Sequence, residues 1–187
     1  AEEEVDCYII KPFTGQSLKN YLTKAVMGKA RPSDYKNFIE EGKRSLEKGE
    51  HTIALQHFEK AKKELEKPCL AHYYLGLTYE AMGVPTKAIA AYGEGLRINN
   101  IHYKCMVGLY ELLEKLKKRD EAYKIVQRLA KNFPVSPQRL GNIFRLAVYT
   151  NHFDDVTKYY SLFTSLDRRS EELVKTVTSA LIIAGKH

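Results

Sequence analysis

The chain has 187 residues, enough for one compact domain of common size or for a smaller one with a neighbouring segment attached. Its composition, 44% hydrophobic and 28% charged, is that of ordinary globular material, and no apolar run approaches the roughly 20 residues a membrane span needs. A formal charge of +7 would permit an acidic partner, but the 30 basic and 23 acidic residues are interspersed, the pattern of a solvated surface.

The first residues, AEEEV, are acidic where a secretory signal is basic, and no long apolar region with a small-residue cleavage site follows, so the expected location is cytoplasmic. Glu2, Glu3 and Glu4 read as a solvated charge run. Three cysteines, Cys7, Cys69 and Cys105, cannot all pair and none has CxxC spacing, which fits reduced thiols. Residues 5–10 (VDCYII) then read as a short apolar strand of the kind buried in a parallel sheet. A turn at residues 11–14 follows, at the carboxyl end of that strand, where open α/β sheets place binding residues. Thr14 or Ser17 can cap the next helix, whose stripe Leu18, Tyr21, Leu22, Ala25 and Val26 requires a partner surface. Pro32 stops that helix, and Ser33 or Asp34 can cap another.

From residue 33 onward the sequence repeats. Gly42 and Gly76, Gly49 and Gly83, Ala54 and Ala88, Phe58 and Tyr92, and Ala61 and Gly95 are each 34 residues apart, and the step continues weakly to Ala122, Val126 and Leu129, then to Val156, Tyr160 and Phe163. Four units are expected. Each has two stretches of helical period around a turn; in the second, Leu75, Tyr79 and Met82 mark one helix, Ala88, Ile89, Tyr92 and Leu96 the other, and residues 83–85 break the chain between them. Small residues at Gly42, Gly76, Ala54 and Ala88 let helices approach closely, and Phe58 and Tyr92 fill the space against the next unit.

Leu75, Gly76, Tyr79, Gly83, Ala88 and Tyr92 fall on the pattern of the tetratricopeptide repeat, which this segment resembles. The resemblance implies an all-α superhelical array of antiparallel helix hairpins over residues 33–170. Departures are expected to change helix contacts: Tyr110 and Phe144 stand at the small-residue position, residues 117–119 turn without glycine, and Pro68 is displaced by two residues, as if the first unit's second helix ran long. Residues 171–187 read as a capping helix or as the first half of a further repeat.

An array of this kind curves, and its first helices line the concave side, a surface suited to a peptide or helix of another protein. By repeat position the lining candidates are Lys36, Ile39, Lys43, Tyr73, Leu77, Glu80, Lys104, Glu111, Arg145 and Tyr149; the plainer reading is an exposed helix face. A subtype of the family grips chaperone carboxylates at positions here held by Ile39, Lys43, Tyr74, Lys104 and Gly108, of which only Lys104 fits, so that subtype is rejected.

Residues 8–13 (YIIKPF) and the Leu-rich helix behind them resemble the last strand, Lys-Pro turn and last helix of the receiver domain of bacterial response regulators, the proteins of two-component phosphorelays. The resemblance covers about the first 28 residues, so residues 1–30 are expected to be a C-terminal receiver remnant and linker. It implies that Lys11 contacts a phosphoryl group, that Tyr8 is the aromatic that reorients on activation, and that Pro12 follows a cis peptide bond. Mg2+, the acceptor aspartate and the contact with a histidine kinase would belong to receiver sequence upstream, and no cofactor is expected in residues 1–187. The plainer alternative is a helix flanking the repeats, and the fragment is also expected to self-associate through residues 5–26.

Catalysis is not expected: the six histidines form no HxxxH or HExxH pair, and no phosphate-binding Gly-rich loop or G-x-S-x-G elbow occurs. Cys105 three residues after His102 reads as local packing. The alternatives to a phosphorelay output are a stand-alone repeat scaffold or assembly factor and, less favoured, nucleic-acid binding through Lys115, Lys117, Lys118 and Arg119 beside Tyr110 and Tyr123.

Overall fold

The structure, a computed structural model, describes residues 14–30, 33–133, 135–166 and 169–185. Among them are ten helices and no strand: α1 (Gly15–Ala30), α2 (Asp34–Glu47), α3 (His51–Glu64), α4 (Cys69–Ala81), α5 (Pro85–Ile98), α6 (Tyr103–Lys115), α7 (Arg119–Asn132), α8 (Pro137–Tyr149), α9 (Phe153–Thr164) and α10 (Glu171–Ile183). The chain is all-helical here. The strand expected at residues 5–10, with Tyr8, Lys11 and Pro12, lies outside the described residues.

Local chemistry sets the helix ends. Ser33, Ser136 and Ser170 each accept a hydrogen bond from the backbone N–H three residues on, and Pro85 and Pro137 open helices where a missing N–H removes no bond. After each of α2, α4, α6, α8 and α10 the chain makes the same turn. Gly49, Gly83, Lys117, Asn151 and Gly185 have φ between 58° and 77° and stand 34 residues apart. At the first four, the following residue donates back across the turn: Glu50 to Ser45 O, Val84 to Tyr79 O, Lys118 to Leu113 O and His152 to Ala147 O. These bonds satisfy carbonyls a helix end would leave bare, in the Schellman arrangement. Glycine meets the left-handed backbone without strain; Lys117 and Asn151 adopt it with a side chain attached. The period is therefore geometric as well as compositional. The long second helix expected before Pro68 does not form: α3 ends at Glu64 and has 14 residues, as α5 and α7 do, because Leu65 turns extended and Pro68 instead precedes α4.

The molecule divides into two compact units, the first reaching Gly108 and the second starting at Leu109, a division that falls inside α6. In the first unit α2 packs on α3, α4 on α5, and α3 on α4. Its core gathers Tyr35, Ile39, Ala54, Phe58, Leu70, Tyr74 and Leu75. A Cβ on Gly42 would collide with the Phe58 ring and one on Gly76 with the Tyr92 ring, so each aromatic of a second helix lies against a bare backbone of the first. Tyr92 also bears on Gly108, where a Cβ would fall 2.8 Å from the ring, and Phe58 stacks on Tyr74 at a centroid distance of 5.2 Å. Each ring thus ties its own hairpin to the next, and burying it contributes up to about 3 kcal/mol.

In the second unit α8 packs against α7, α9 and α10. The bulk moves to the other arm: Phe144 is fully buried at the position where the first unit has glycine, Val126 is buried at the ring position of its hairpin, and Tyr160 at the next ring position is 40% exposed. A ring cannot lie on a backbone already covered by Phe144. Ala54, Ala88, Ala122 and Val156, also one period apart, are all fully buried, so this tight contact persists through both units.

Candidate protein-binding face

The ten lining candidates lie on the first helices α2, α4, α6 and α8. In the first unit Lys36 is exposed, Lys43 pairs with Glu40 at 3.0 Å, and Leu77 packs against the core. Ile39 is buried in that core at 4% exposure and offers nothing to a ligand. Tyr73 and Lys104 are brought together: the Lys104 ammonium stands 5.7 Å from the Tyr73 ring centroid and 5.9 Å from that of Tyr74, within reach of cation–π attraction. Glu80 accepts a 2.6 Å hydrogen bond from the Tyr92 hydroxyl. Burial first, then the bond to that carboxylate, pushes the Tyr92 phenol far above its ordinary value, so it stays a donor.

In the second unit Glu111 is exposed. Arg145 donates through Nη2 to Glu114 and, at 3.4 Å, to Asn142 Oδ1, while the Tyr110 hydroxyl donates to the same Glu114 carboxylate at 3.4 Å. Burial disfavours the Arg145 charge, but the hydrogen bond and charge of Glu114 outweigh it and the guanidinium is held above its ordinary pKa. Tyr149 is 52% exposed and carries the Arg119 guanidinium 4.1 Å from its ring centroid. Tyr123 is buried and donates to Asp155, so its ring is closed to a base, and Tyr110 is half-buried against Glu114.

Tyr74, Glu114, Arg119 and Asn142 are not among the ten lining candidates, although Arg119 belongs to the basic cluster weighed for nucleic acid. A signal for some of them exists: Tyr73 meets Lys104 and Glu114 meets Arg145 across an offset of 31 residues, one period less one helical turn. Applied along the repeat, that offset pairs successive first helices. Arg119 on Tyr149 has no such signature.

Elsewhere, His102 Nδ1 accepts a 3.3 Å bond from the backbone N–H of Cys105, as a helix cap does, and the Cys105 thiol donates to Cys69 O at 3.5 Å. Cys69 and Cys105 are both buried. Burial lowers the pKa of His72, keeping it neutral. Among the described residues no group of three or more His, Cys, Asp or Glu side chains could hold a metal, and no helix is long and apolar enough to cross a membrane. On α1, Leu18, Leu22 and Val26 form an apolar stripe beside Gly15, Lys19 and Thr23, with Leu22 and Val26 exposed. No protein-family model matches the sequence, and no curated protein matches it.

Proposed function

We propose that the chain is the protein-binding output of a two-component response regulator, a tetratricopeptide-type array that holds a partner peptide or helix on its first-helix face. The observation that carries the binding half is the 34-residue step of the left-handed turns together with the glycine–aromatic seats of the first unit. Tyr73, Leu77 and Lys104 supply packing and charge on that face in the first unit, and Arg145 and Tyr149 do so in the second. The signalling half rests on residues 8–13 and their likeness to the end of a receiver. In this reading Lys11 meets an acceptor aspartate's phosphoryl group, Tyr8 and Pro12 belong to the switch, and α1 carries the change to the repeats, with its stripe of Leu18, Leu22 and Val26 as the receiver-facing side.

Two measurements test this. Peptide-mapping mass spectrometry of the intact protein from its source cells is expected to find about 100 further residues upstream, with an acidic cluster and an acceptor aspartate. Partner capture with that protein is expected to differ between its phosphorylated and unphosphorylated forms. Equal affinity of the two forms would remove the switch and leave a stand-alone repeat scaffold.

A further inference from the structure

We propose that Arg119, Tyr149 and Arg145 form a receiving site for a carboxylate carried by an acidic peptide segment. This rests on the reading of the first-helix face as a protein-binding surface and names what part of that face takes. Arg145 and Tyr149 stand one turn apart on α8, and Arg119 opens α7. The exposed Tyr149 ring fixes the Arg119 guanidinium over its face at 4.1 Å. Glu114 and Asn142 fix Arg145, and both contacts are made through Nη2, so its Nε and Nη1 donors are not committed to them. Two planar cations are thus pre-positioned around one exposed ring, and little side-chain freedom remains to be lost on binding.

Charge decides what they accept. Glu114 compensates Arg145, and Glu121 is engaged by Lys118 at 3.0 Å. Among the described residues no carboxylate pairs with Arg119, so the cluster keeps a positive excess that a neutral segment would leave in place. A carboxylate supplies the missing charge and matches the parallel N–H donors of a guanidinium, while the Tyr149 ring packs on the segment's aliphatic part. The period does not dictate this site, since its first member comes from the start of a second helix.

The experiment titrates the full 187-residue chain with an N-acetylated, C-amidated tetraglutamate peptide and with its tetraglutamine counterpart, following backbone amide shifts by NMR. Tetraglutamate is expected to bind saturably with the largest shifts on α8, and tetraglutamine at least about tenfold more weakly. Arg119→Gln and Arg145→Gln are each expected to weaken tetraglutamate by a similar factor, while Lys131→Gln, the same loss of charge at the far end of α7, leaves it unchanged. Arg119 is exposed, so its variant remains informative even if Arg145→Gln, which strips Glu114 of its partner, fails to fold. Absence of tetraglutamate binding overturns the site, and equal weakening by Lys131→Gln overturns it in favour of diffuse attraction. Displacement by inorganic phosphate at equal concentration overturns the peptide as occupant. Equal binding of the two peptides overturns the carboxylate assignment yet leaves the protein-binding reading standing, because that reading fails only in the capture experiment.

Discussion

The two units fill the same place in the repeat in opposite ways. In the first, the bare backbones of Gly42 and Gly76 receive the rings of Phe58 and Tyr92 from the other arm. In the second, Phe144 takes the receiving position, and the ring two periods on from Tyr92, that of Tyr160, lies at the surface. The period constrains where a residue sits along a hairpin. It does not decide which arm supplies the volume, and close packing requires only that the two arms together fill the gap without overlap.

The widest separation is expected from deleting the two equivalent rings. Tyr92→Ala removes a fully buried side chain and should destabilise the chain by about 4 kcal/mol, whereas Tyr160→Ala should change stability by less than about 1 kcal/mol. Urea unfolding of the two variants followed by circular dichroism checks this; equal losses would mean that the Tyr160 ring is seated after all. The glycines give the next largest contrast. Gly76→Ala drives a methyl into the Tyr92 ring and should destabilise by about 2 kcal/mol. Gly141→Ala on α8 meets only Leu173 Cδ1, at an ordinary 3.5 Å, and should stabilise by up to about 1 kcal/mol through helix propensity. The smallest effect is expected in the turns: Lys117→Gly relieves a left-handed backbone that glycine adopts freely, for a gain of about 0.5 kcal/mol after the entropy glycine loses on folding. A rise in melting temperature with Lys117→Gly, absent for Lys118→Gly, would localise the strain to that residue.

The helical class and the spacing were legible because they rest on residues whose role is fixed by the backbone. A glycine beneath a ring, a left-handed turn and an apolar stripe each leave a mark at a defined interval, as Gly42, Gly76, Gly49 and Gly83 do. The binding face was less legible. Ile39 holds a lining position by count yet is buried, since helix position alone does not say how far the neighbouring arm overlaps it. Glu114 went unnoticed because its partner Arg145 is on another helix, and Arg119 was read only as part of a basic turn because a long side chain on a second helix can reach a ring on a first. Long polar side chains choose partners by reach and charge, and neither varies with a fixed period.

The double duty of Tyr92 bears on how this chain could be cut and rejoined. Its ring rests on Gly76 within one hairpin and on Gly108 in the helix after it. A graft bounded by the visible hairpin would carry the ring and leave behind one of its two seats. The portable module is instead the stretch from Gly76 through Gly108, offset from the helix pairs the eye picks out. Recombination between such arrays would preserve packing only where its crossovers respect that offset frame.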